Sequence, residues 1–320
     1  MDSSDLPDSI NYDLIEEGLY LGNLSTAASP ATLSKLHITH VLTVASESLP
    51  LSLTQKMPYI IFHYIQVDDI PGSDLLSHFE SSCNFIAEGQ AMGAVLVHCY
   101  FGVSRSATLV AAHLMRKHKL NWHQALDRIR SRRRCVGPNV GFLHQLDLFH
   151  ALQWKLDAHS KLSPLFRLYK HKMLCTRIRT EPHRLKEFLT SYLELFQDDS
   201  HVNRNPGLSC RSCRAVLCSR ACNVQHCHGC WPALENGHSN KVCERSFYMT
   251  AQPWMLSSAY TSKMAGNLKC PKCSKEIGRF HWLRDLPCAC REVVPCVACV
   301  ADGEVDAGHI SLDAGSVSSC

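Results

Sequence analysis

The residues best suited to chemistry lie within nine positions, from His98 to Ser106, where the chain reads His-Cys-Tyr-Phe-Gly-Val-Ser-Arg-Ser. A short apolar run precedes this segment and a helical pattern follows it, which predicts a strand, a loop and a helix in that order. Such a loop gathers backbone N–H groups, and the start of the helix adds partial positive charge, so that the turn can bind phosphate. Gly102 lets the backbone approach the anion closely, and Arg105 can hold two phosphate oxygens with its planar guanidinium.

Cys99 stands at the start of that loop, inside the same positive field. The thiolate of a cysteine, not its thiol, is the nucleophile, and a helix dipole contributes only about 0.3–2 kcal/mol toward a negative charge. We therefore expect Arg105, the loop amides and hydrogen bonds around His98 to share in stabilising the thiolate. The expected chemistry is attack of sulfur on phosphorus, which forms a phosphocysteine, with the Ser106 hydroxyl stabilising the sulfur when it leaves.

The pattern His-Cys-x5-Arg-Ser, with the flanks Val-Leu-Val-His-Cys and Gly-Val-Ser-Arg-Ser, resembles the signature of the cysteine-dependent protein phosphatases and, among them, of the dual-specificity branch. The resemblance implies hydrolysis of phosphotyrosine and phosphoserine/threonine in proteins, without a metal ion in the catalytic step. It makes Cys99 the nucleophile and Arg105 the phosphate-binding residue. The substrate-binding loop that it implies consists of Tyr100, Phe101, Gly102, Val103 and Ser104. Phe101 replaces the small residue usual in the branch, so we expect the mouth of the pocket to be narrowed or reshaped.

The resemblance also implies a general acid, which protonates the leaving oxygen, on a loop upstream of the cysteine. Asp69, thirty residues before Cys99 and ten before Phe79, matches the position of the family's aspartate best, and Asp68 is the alternative. Adjacent acids on an extended loop point in different directions, so only one is expected to act. Downstream, Asn139 matches a segment that supports the phosphate loop in the family, and an ordinary helix cap is the other interpretation.

A cluster of five arginines stands just before Asn139. The default interpretation is a solvated helix end, and the alternative is a second site for acidic or phosphorylated substrates. The cluster consists of Arg128, Arg130, Arg132, Arg133 and Arg134.

Short apolar runs alternate with helical patterns in the first half of the chain. Residues 40–45 and 60–67 are rich in β-branched and aromatic side chains and predict strands, and residues 93–98 predict a short buried strand. Residues 75–89 and 106–118 carry apolar side chains at helical spacing. Such alternation is typical of an α/β fold with helices flanking a mostly parallel central sheet, and the cysteine-dependent phosphatase fold implied by the resemblance is of this class.

Cysteines divide the chain, because 14 of the 18 lie in its last 111 residues. The chain opens with acidic and polar residues and no signal-peptide pattern, so we expect a protein of the cytoplasm and nucleus whose thiols stay reduced and bind metal. Cys210 and Cys213, and likewise Cys270 and Cys273, have the spacing from which two thiolates reach one tetrahedral zinc ion. A closed four-ligand site of this kind is structural, and zinc binding would drive the folding of the region.

The pattern after Cys210 resembles the dual-specificity phosphatases that carry a C-terminal domain with two zinc ions. Carried over residue by residue, that resemblance implies the ligands Cys210, Cys213, His226, Cys243, Cys270, Cys273, Cys288 and Cys290. His228 and His238 are alternatives to His226, and the sharing of ligands between the two ions stays open. Six of the other cysteines in this region leave a third site or altered pairing as an alternative, namely Cys218, Cys222, Cys227, Cys230, Cys296 and Cys299.

These patterns predict four regions: a dual-specificity phosphatase domain over residues 1–158, a basic helical linker over 159–207, a small zinc-stabilised domain over 208–300 and an acidic flexible tail over 301–320. Within the linker, residues 161–186 carry eight Lys and Arg against one acid. That charge indicates a solvated helix face or a docking surface for an acidic partner.

The composition of the chain limits the classes of binding partner that we expect. A net charge of +4 is too small to indicate nucleic-acid binding, which stays open for the C-terminal domain, and no apolar run approaches the ~20 residues of a membrane span. Phosphorylated proteins are the expected partners. The resemblance also implies an alternative function, since relatives are linked through the zinc-binding domain to maturation of the large ribosomal subunit. In that case the domain would bind pre-ribosomal particles and the phosphatase activity would be secondary.

Overall fold

The computed structural model describes residues 9–156, 164–196, 206–219, 222–224, 246–288, 293–294, 298–301 and 304–307. The chain divides after residue 160 into two compact units, Met1–Ser160 and Lys161–Cys320. Among the residues described, no helix is both long and apolar enough to cross a membrane.

A five-stranded sheet in the order β1-β2-β5-β3-β4 forms the centre of the first unit. Its strands are β1 (Tyr12–Glu16), β2 (Leu19–Gly22), β3 (Ile38–Ala45), β4 (Ile61–Gln66) and β5 (Ala94–His98). β1 pairs with β2 antiparallel, whereas β2, β5, β3 and β4 run parallel to one another. The predicted mostly parallel sheet is confirmed.

Helices connect the parallel strands and cover the sheet. They are α1 (Leu24–Ala27), α2 (Pro30–Lys35), α3 (Leu51–Thr54), α4 (Phe79–Met92), α5 (Arg105–His118), α6 (Trp122–Arg130) and α7 (Val140–Ala151), with a 3-10 turn at Leu76–His78. α4 buries Phe79, Cys83 and Ile86, which recur at helical spacing along one face. The first eleven residues of α5 are all buried, so this helix forms much of the core.

The central position of β5 in the sheet determines where in the fold the His98–Ser106 segment lies. All five residues of this strand are buried, because it lies between β2 and β3 in the middle of the sheet. Ligands of open parallel sheets bind beyond the carboxyl ends of the strands. Here the carboxyl end of β5 leads through residues 99–104 directly to the start of α5, so the loop lies at that edge.

Two helices, α8 (Pro164–Thr180) and α9 (Leu185–Glu194), open the second unit where the sequence predicts a linker. They are not a free linker, because their apolar side chains are buried within the unit, among them Ile178 and Phe188. Arg167 of α8 is also buried and donates to Sγ of Cys222 over 3.5 Å. The helices therefore belong to the second compact unit, and burial of their apolar face explains the difference from the prediction.

Most of the basic side chains described in this helical segment form ion pairs, hydrogen bonds or cation–π contacts within the second unit. The guanidinium groups of Arg177 and Arg184 lie over the ring of Phe188, at 4.3 and 4.8 Å from its centroid. Arg179 pairs with Asp285 over 2.5 Å. These contacts favour an internal role for the cations over the docking surface considered from the sequence.

Most of the elements described in the remainder of the second unit are short strands, namely β6 (Pro206–Cys210), β7 (Val216–Ser219), β8 (Asn223–Val224), β9 (Ser246–Met249), β10 (Ala265–Lys269), β11 (Glu276–His281), β12 (Leu286–Pro287), β13 (Val293–Val294), β14 (Ala298–Ala301) and β15 (Val305–Ala307). They form sheets in the orders β10-β11-β14-β9-β8, β15-β6-β7 and β12-β13. A 3-10 turn at Pro253–Leu256 precedes the short helix α10 (Ser258–Thr261).

The first part of the predicted flexible tail is instead a strand. β15 pairs antiparallel with β6, and Asp306 forms ion pairs with Arg211 (3.1 Å) and Arg214. Glu304 pairs with Lys275 over 2.6 Å. The acids that suggested a solvated tail thus hold residues 304–307 against the unit, while residues 308–320 lie outside the described part of the chain.

Candidate active site and metal centre

Backbone groups of neighbouring segments hold both ends of the loop after β5. The carbonyl oxygen of Tyr100 accepts a hydrogen bond from the backbone N–H of Leu24 over 3.1 Å. The carbonyl oxygen of Val103 accepts one from the backbone N–H of Gly137 over 3.0 Å. Both carbonyls are therefore directed away from the centre of the loop.

Arg133 holds the two carbonyls in between. Its Nη2 donates to the carbonyl of Phe101 over 3.1 Å and its Nε donates to that of Gly102 over 2.9 Å. The guanidinium is itself fixed by Asp13 (2.7 Å) and by Asn11. Arg133 is 3% exposed, so within the arginine cluster this residue is neither a solvated helix end nor a second phosphate site. The sequence indicated this role only by the position of Arg133 shortly before Asn139, in the segment expected to support the loop.

The outward direction of four loop carbonyl groups determines the inward direction of four backbone N–H groups. In a trans peptide the C=O and the following N–H point in opposite directions. Because the carbonyls of residues 100–103 are held outward, the N–H groups of residues 101–104 point toward the interior of the loop. The N–H of Gly102 accordingly donates to Sγ of Cys99 over 3.2 Å. The loop is thus a cradle of donors for an anion above the sulfur.

Cys99 lies at the bottom of this cradle and is 2% exposed. Besides the Gly102 amide, the hydroxyl of Ser106 donates to Sγ over 3.1 Å. Gly102 has a φ of 70°, and a Cβ there would lie 2.4 Å from the carbonyl oxygen of Gly22. Glycine is therefore required at this position by both conformation and space.

Arg105 occupies the wall of the cradle beside Asp69. Its Nη1 donates to the carbonyl of Val67 over 3.2 Å, which anchors the guanidinium to the end of β4, and the residue is 8% exposed. Its Nε lies 3.7 Å from Oδ2 of Asp69. The structure thus brings the expected phosphate-binding arginine and the expected general acid to the loop that begins with Cys99.

Asp69 is tethered to both the loop and α7. Its Oδ1 accepts hydrogen bonds from Oγ of Ser104 (2.7 Å) and from Nδ2 of Asn139 (2.9 Å). Oδ1 of Asn139 in turn accepts from the backbone N–H of Phe142 (3.0 Å) as the N-cap of α7. Asn139 therefore serves both as a helix cap and as support for the site. Among the described contacts none joins Asp68 to these residues.

Two residues of α7 that the motifs did not single out position the Asp69 loop. Oε1 of Gln145 accepts from the backbone N–H groups of residues 75–76 (2.8 and 2.7 Å), and its Nε2 donates to the carbonyl of Ser73 (2.8 Å). A Cβ on Gly141 would lie 2.0 Å from the carbonyl oxygen of Pro71, so only glycine admits this close approach. A glutamine on the buried face of an apolar helix was the signal available in the sequence.

His98 contributes to the site as a neutral ring. It is fully buried, and its Nε2 lies 2.8 Å from Oγ1 of Thr43. Burial, with the positive charge of Arg105 adding to it, lowers the pKa of His98 to about 4. At neutral pH the imidazole therefore carries no charge, and its effect on Cys99 is one of placement rather than of electrostatic attraction.

Phe101 stands at the mouth of the cradle rather than inside it. Its side chain is 64% exposed and rests edge-on against the ring of Tyr100, with centroids 4.6 Å apart. Tyr100 is partly buried and packs against the core. The loop thus presents one exposed aromatic side chain, while Cys99, Gly102, Ser104 and Arg105 are buried.

Four cysteines of the second unit meet at one point, namely Cys210, Cys213, Cys270 and Cys273, and their sulfur atoms all lie within 4.8 Å of one another. Sγ of Cys210 is 3.8 Å from that of Cys273, and Sγ of Cys213 is 3.5 Å from that of Cys270. A tetrahedron with Zn–S bonds of ~2.3 Å has edges of roughly 3.8 Å. The donor set therefore fits a zinc ion.

The same turn presents each cysteine pair. The backbone N–H of Arg214 donates to the carbonyl of Cys210, and that of Ser274 donates to the carbonyl of Cys270 (2.8 and 2.9 Å). Arg214 and Ser274 both have a φ near 60°, which closes the turn after the second cysteine. The two pairs thus form matching knuckles that face each other.

Of the four remaining expected ligands, only Cys288 lies in the described part of the chain, and it is not a member of this cluster. Cys288 is described and buried, whereas His226, Cys243 and Cys290 lie outside the described residues, as do the alternatives His228 and His238. Of the six further cysteines, Cys218 and Cys222 are buried thiols, and burial raises the pKa of Cys218 well above its ordinary value. The side chains of Cys227, Cys230, Cys296 and Cys299 are outside the described part.

Comparison with known proteins extends these observations. The family model "Dual specificity phosphatase, catalytic domain" matches residues 19–151. The chain is 30% identical to dual specificity protein phosphatase MPK-4 of Drosophila melanogaster, over 89% of this chain and 84% of that protein. It is 32% identical to tyrosine-protein phosphatase yvh1 of Schizosaccharomyces pombe (96% and 88%). It is 31% identical to dual specificity protein phosphatase 12 of Mus musculus (86% and 82%). The similarity therefore covers the second unit as well as the first.

Proposed function

The chain belongs to the dual specificity protein phosphatases, and we propose on that basis that Cys99, Arg105 and Asp69 carry out its hydrolysis of phosphotyrosine and phosphoserine/threonine in proteins. The observation that carries these roles is the position of Sγ of Cys99 beneath inward-facing loop amides, with Asp69 tethered beside Arg105. A phosphate bound by those donors presents its phosphorus to the sulfur.

The first step transfers the phosphoryl group to the enzyme. The thiolate of Cys99 attacks phosphorus while the bond from phosphorus to the substrate oxygen breaks. The carboxylic acid of Asp69 gives its proton to that oxygen, so the dephosphorylated hydroxyl group leaves and Asp69 becomes a carboxylate. The loop amides and Arg105 stabilise the charge on the transferring oxygens.

The second step releases phosphate. A water molecule attacks the phosphocysteine, and the carboxylate of Asp69 takes one of its protons. The bond from sulfur to phosphorus breaks, inorganic phosphate leaves, and Cys99 returns to the thiolate. The hydroxyl of Ser106, which lies 3.1 Å from Sγ, donates to the sulfur as its negative charge returns.

Hydrolysis of an aryl phosphate by the wild type and by the Cys99→Ser variant tests this mechanism. The variant should lose at least ~10³-fold in kcat, because an alcohol replaces the thiolate nucleophile. Mass spectrometry of the acid-quenched wild type should show one added phosphate group on the peptide that contains Cys99. Equal rates for the two proteins would overturn the assignment.

In the second unit we propose two structural zinc ions. One ion would be held by Cys210, Cys213, Cys270 and Cys273. This ion would cross-link the two knuckles and would have no open coordination position. For the other we retain Cys243, Cys288, Cys290 and His226, as the family resemblance implies. Measurement of bound zinc per chain decides between one and two ions.

A second candidate function concerns this unit as a binding module. A four-cysteine site leaves no coordination position for a substrate, and the site lies in a unit separate from the catalytic loop. Pre-ribosomal particles are the partner that the family resemblance implies, in the cytoplasm and nucleus. Rescue of a deficient cell by Cys99→Ser but not by Cys270→Ser would support the binding role, and the reverse result would support the catalytic role alone.

A further inference from the structure

We propose that three exposed apolar side chains, Phe101, Ile70 and Val140, form an apolar collar that binds the aromatic ring of phosphotyrosine. The collar would make this chain favour phosphotyrosine over phosphothreonine. The proposal rests on the phosphatase function proposed above and adds the preferred class of substrate.

Each collar residue is joined directly to the catalytic cradle. Phe101 belongs to the loop, and its own carbonyl is fixed by Arg133. Ile70 follows Asp69 in the chain, and Val140 follows Asn139, whose amide donates to Asp69 over 2.9 Å. The tether between Asp69 and Asn139 therefore places Ile70 and Val140 on the side of the cradle where the general acid lies.

The exposure of the three side chains is high for large apolar residues: 64% for Phe101, 55% for Ile70 and 56% for Val140. Single exposed apolar residues are common on protein surfaces and need no explanation, whereas a group of them beside a polar site indicates a binding surface. Phe101 belongs to the cradle loop, and Ile70 and Val140 each follow a residue of the Asp69–Asn139 tether, so the ligand that fits both parts is an apolar group attached to a phosphate.

The ring of Phe101 is placed for contact with another ring. It is supported from one side by Tyr100, at an angle of 78° between the ring planes, and Tyr100 packs against the core. Phe101 therefore has a preferred position although it is exposed. Aromatic rings gain about 0.5–1.5 kcal/mol beyond area burial in edge-to-face or offset contacts.

The selectivity follows from where the apolar part of each substrate lies. In phosphotyrosine a ring separates the phosphate from the peptide, so the ring lies at the level of the collar when the phosphate reaches Cys99. Phosphothreonine offers only its Cβ and methyl group there. A ring contact of the size given above corresponds to a preference of roughly two- to twelvefold.

The test compares two peptides with the same flanking residues, one with phosphotyrosine and one with phosphothreonine. The kcat/KM ratio is measured for the full-length wild type, for Phe101→Ala and for Tyr59→Ala. Tyr59 is a matched control, because it is 61% exposed and precedes β4, at the edge of the sheet opposite to the cradle. We expect the ratio to fall roughly two- to twelvefold in Phe101→Ala, mainly through phosphotyrosine, and to stay unchanged in Tyr59→Ala.

Phe101→Trp and Phe101→Leu separate an aromatic contact from mere bulk. Trp should restore the preference, while Leu should restore only part of it. If Phe101→Ala raises both rates equally, or leaves the ratio unchanged, Phe101 only obstructs the mouth and the proposal is overturned. Failure of the proposed function looks different, since the wild type would then hydrolyse neither peptide faster than Cys99→Ser. Because Phe101 is exposed, an unchanged thermal midpoint is expected for all its variants.

Discussion

Nδ2 of Asn139 donates to Oδ1 of Asp69 over 2.9 Å, which ties the first residue before α7 to the loop that carries the general acid. The same side chain caps α7 through its Oδ1. One residue thus couples the stability of a helix to the placement of a catalytic carboxylate, and these two effects can be separated by substitution.

Asn139→Ser should keep the cap and lose the tether. A serine hydroxyl can accept from the N–H of Phe142 but does not reach as far as the amide does. We expect less than about 0.5 kcal/mol lost from the free energy of unfolding and a fall in kcat of about tenfold, because Asp69 is less well placed. Asn139→Ala should lose a further ~1 kcal/mol of stability. Urea unfolding and steady-state kinetics measure both, and equal stability of Ser and Ala variants would contradict the cap.

Asp69→Asn should lower kcat for a peptide substrate by about 10²–10⁴-fold, since the leaving oxygen loses its proton donor. The matched control is Asp68→Asn, which removes the same charge one position away and should stay within about twofold. A smaller loss is expected for Asp69→Asn with an aryl phosphate whose leaving group is acidic, because that oxygen needs less protonation. A larger effect from Asp68→Asn would transfer the role of acid to Asp68.

Arg133→Met should disorder the cradle, although Arg133 itself is not expected to contact the substrate. The change orphans the carbonyls of Phe101 and Gly102 and the partner Asp13, for a loss of about 3 kcal/mol in unfolding free energy. The inhibition constant of inorganic phosphate should rise as the amides lose their direction. The neighbouring Arg132 is exposed, so Arg132→Met should leave stability and phosphate inhibition nearly unchanged. Phosphate binding that survives in Arg133→Met would show that the loop holds its shape unaided.

Removal of zinc by a chelator should unfold the second unit and leave aryl phosphatase activity intact. Structural zinc contributes about 10–16 kcal/mol of apparent binding energy in small domains, and the catalytic cradle contains no metal ligand of the four-cysteine site. Cys270→Ser should lose one zinc ion per chain. Cys218→Ser, a change in a buried cysteine of the same unit outside that site, should keep it. Elemental analysis with far-UV circular dichroism provides the measurement, and loss of activity on chelation would contradict the separation.

Acid should destabilise the first unit in a defined range. Burial is the main cause that lowers the pKa values of His98 and His113 to about 4, from the ordinary value of 6.5. As pH falls below 6.5, these histidines bind protons in the unfolded chain before they do so in the folded chain, so protonation favours unfolding. The free energy of unfolding therefore has its full value above pH 6.5 and declines as the pH falls to about 4. Each histidine accounts for a loss on the order of 3 kcal/mol.

His113→Gln should flatten that decline, because one of the two buried groups no longer titrates. The matched control is His144→Gln, at an exposed position of α7, which should leave the slope unchanged. Urea unfolding between pH 7 and pH 4.5 measures both slopes. A wild-type stability that rises toward pH 4.5 would contradict the assigned direction.

Local patterns determined much of this protein from the sequence alone. The spacing of Cys99 and Arg105 indicated a phosphate cradle because strand, loop and helix start fall within a dozen residues, where chain geometry leaves few alternatives. The strands near 40–45 and 93–98 and the helix from 106 followed from periodicity for the same reason. The paired cysteines likewise indicated zinc, since a two-residue spacing sets the distance between two thiolates.

Only the tertiary structure decided what these local units contact. Arg132, Arg133 and Arg134 are equivalent in sequence, yet Arg133 alone among them is buried, because the turn that follows α6 directs that side chain to the loop carbonyls. The meeting of Cys210 and Cys213 with Cys270 and Cys273, and of Asn139 with Asp69, joins positions about 60 to 70 residues apart. The burial of α8 and the pairing of β15 were missed for the same physical reason. Composition suggests solvation, but burial depends on the partner that the fold brings to a segment.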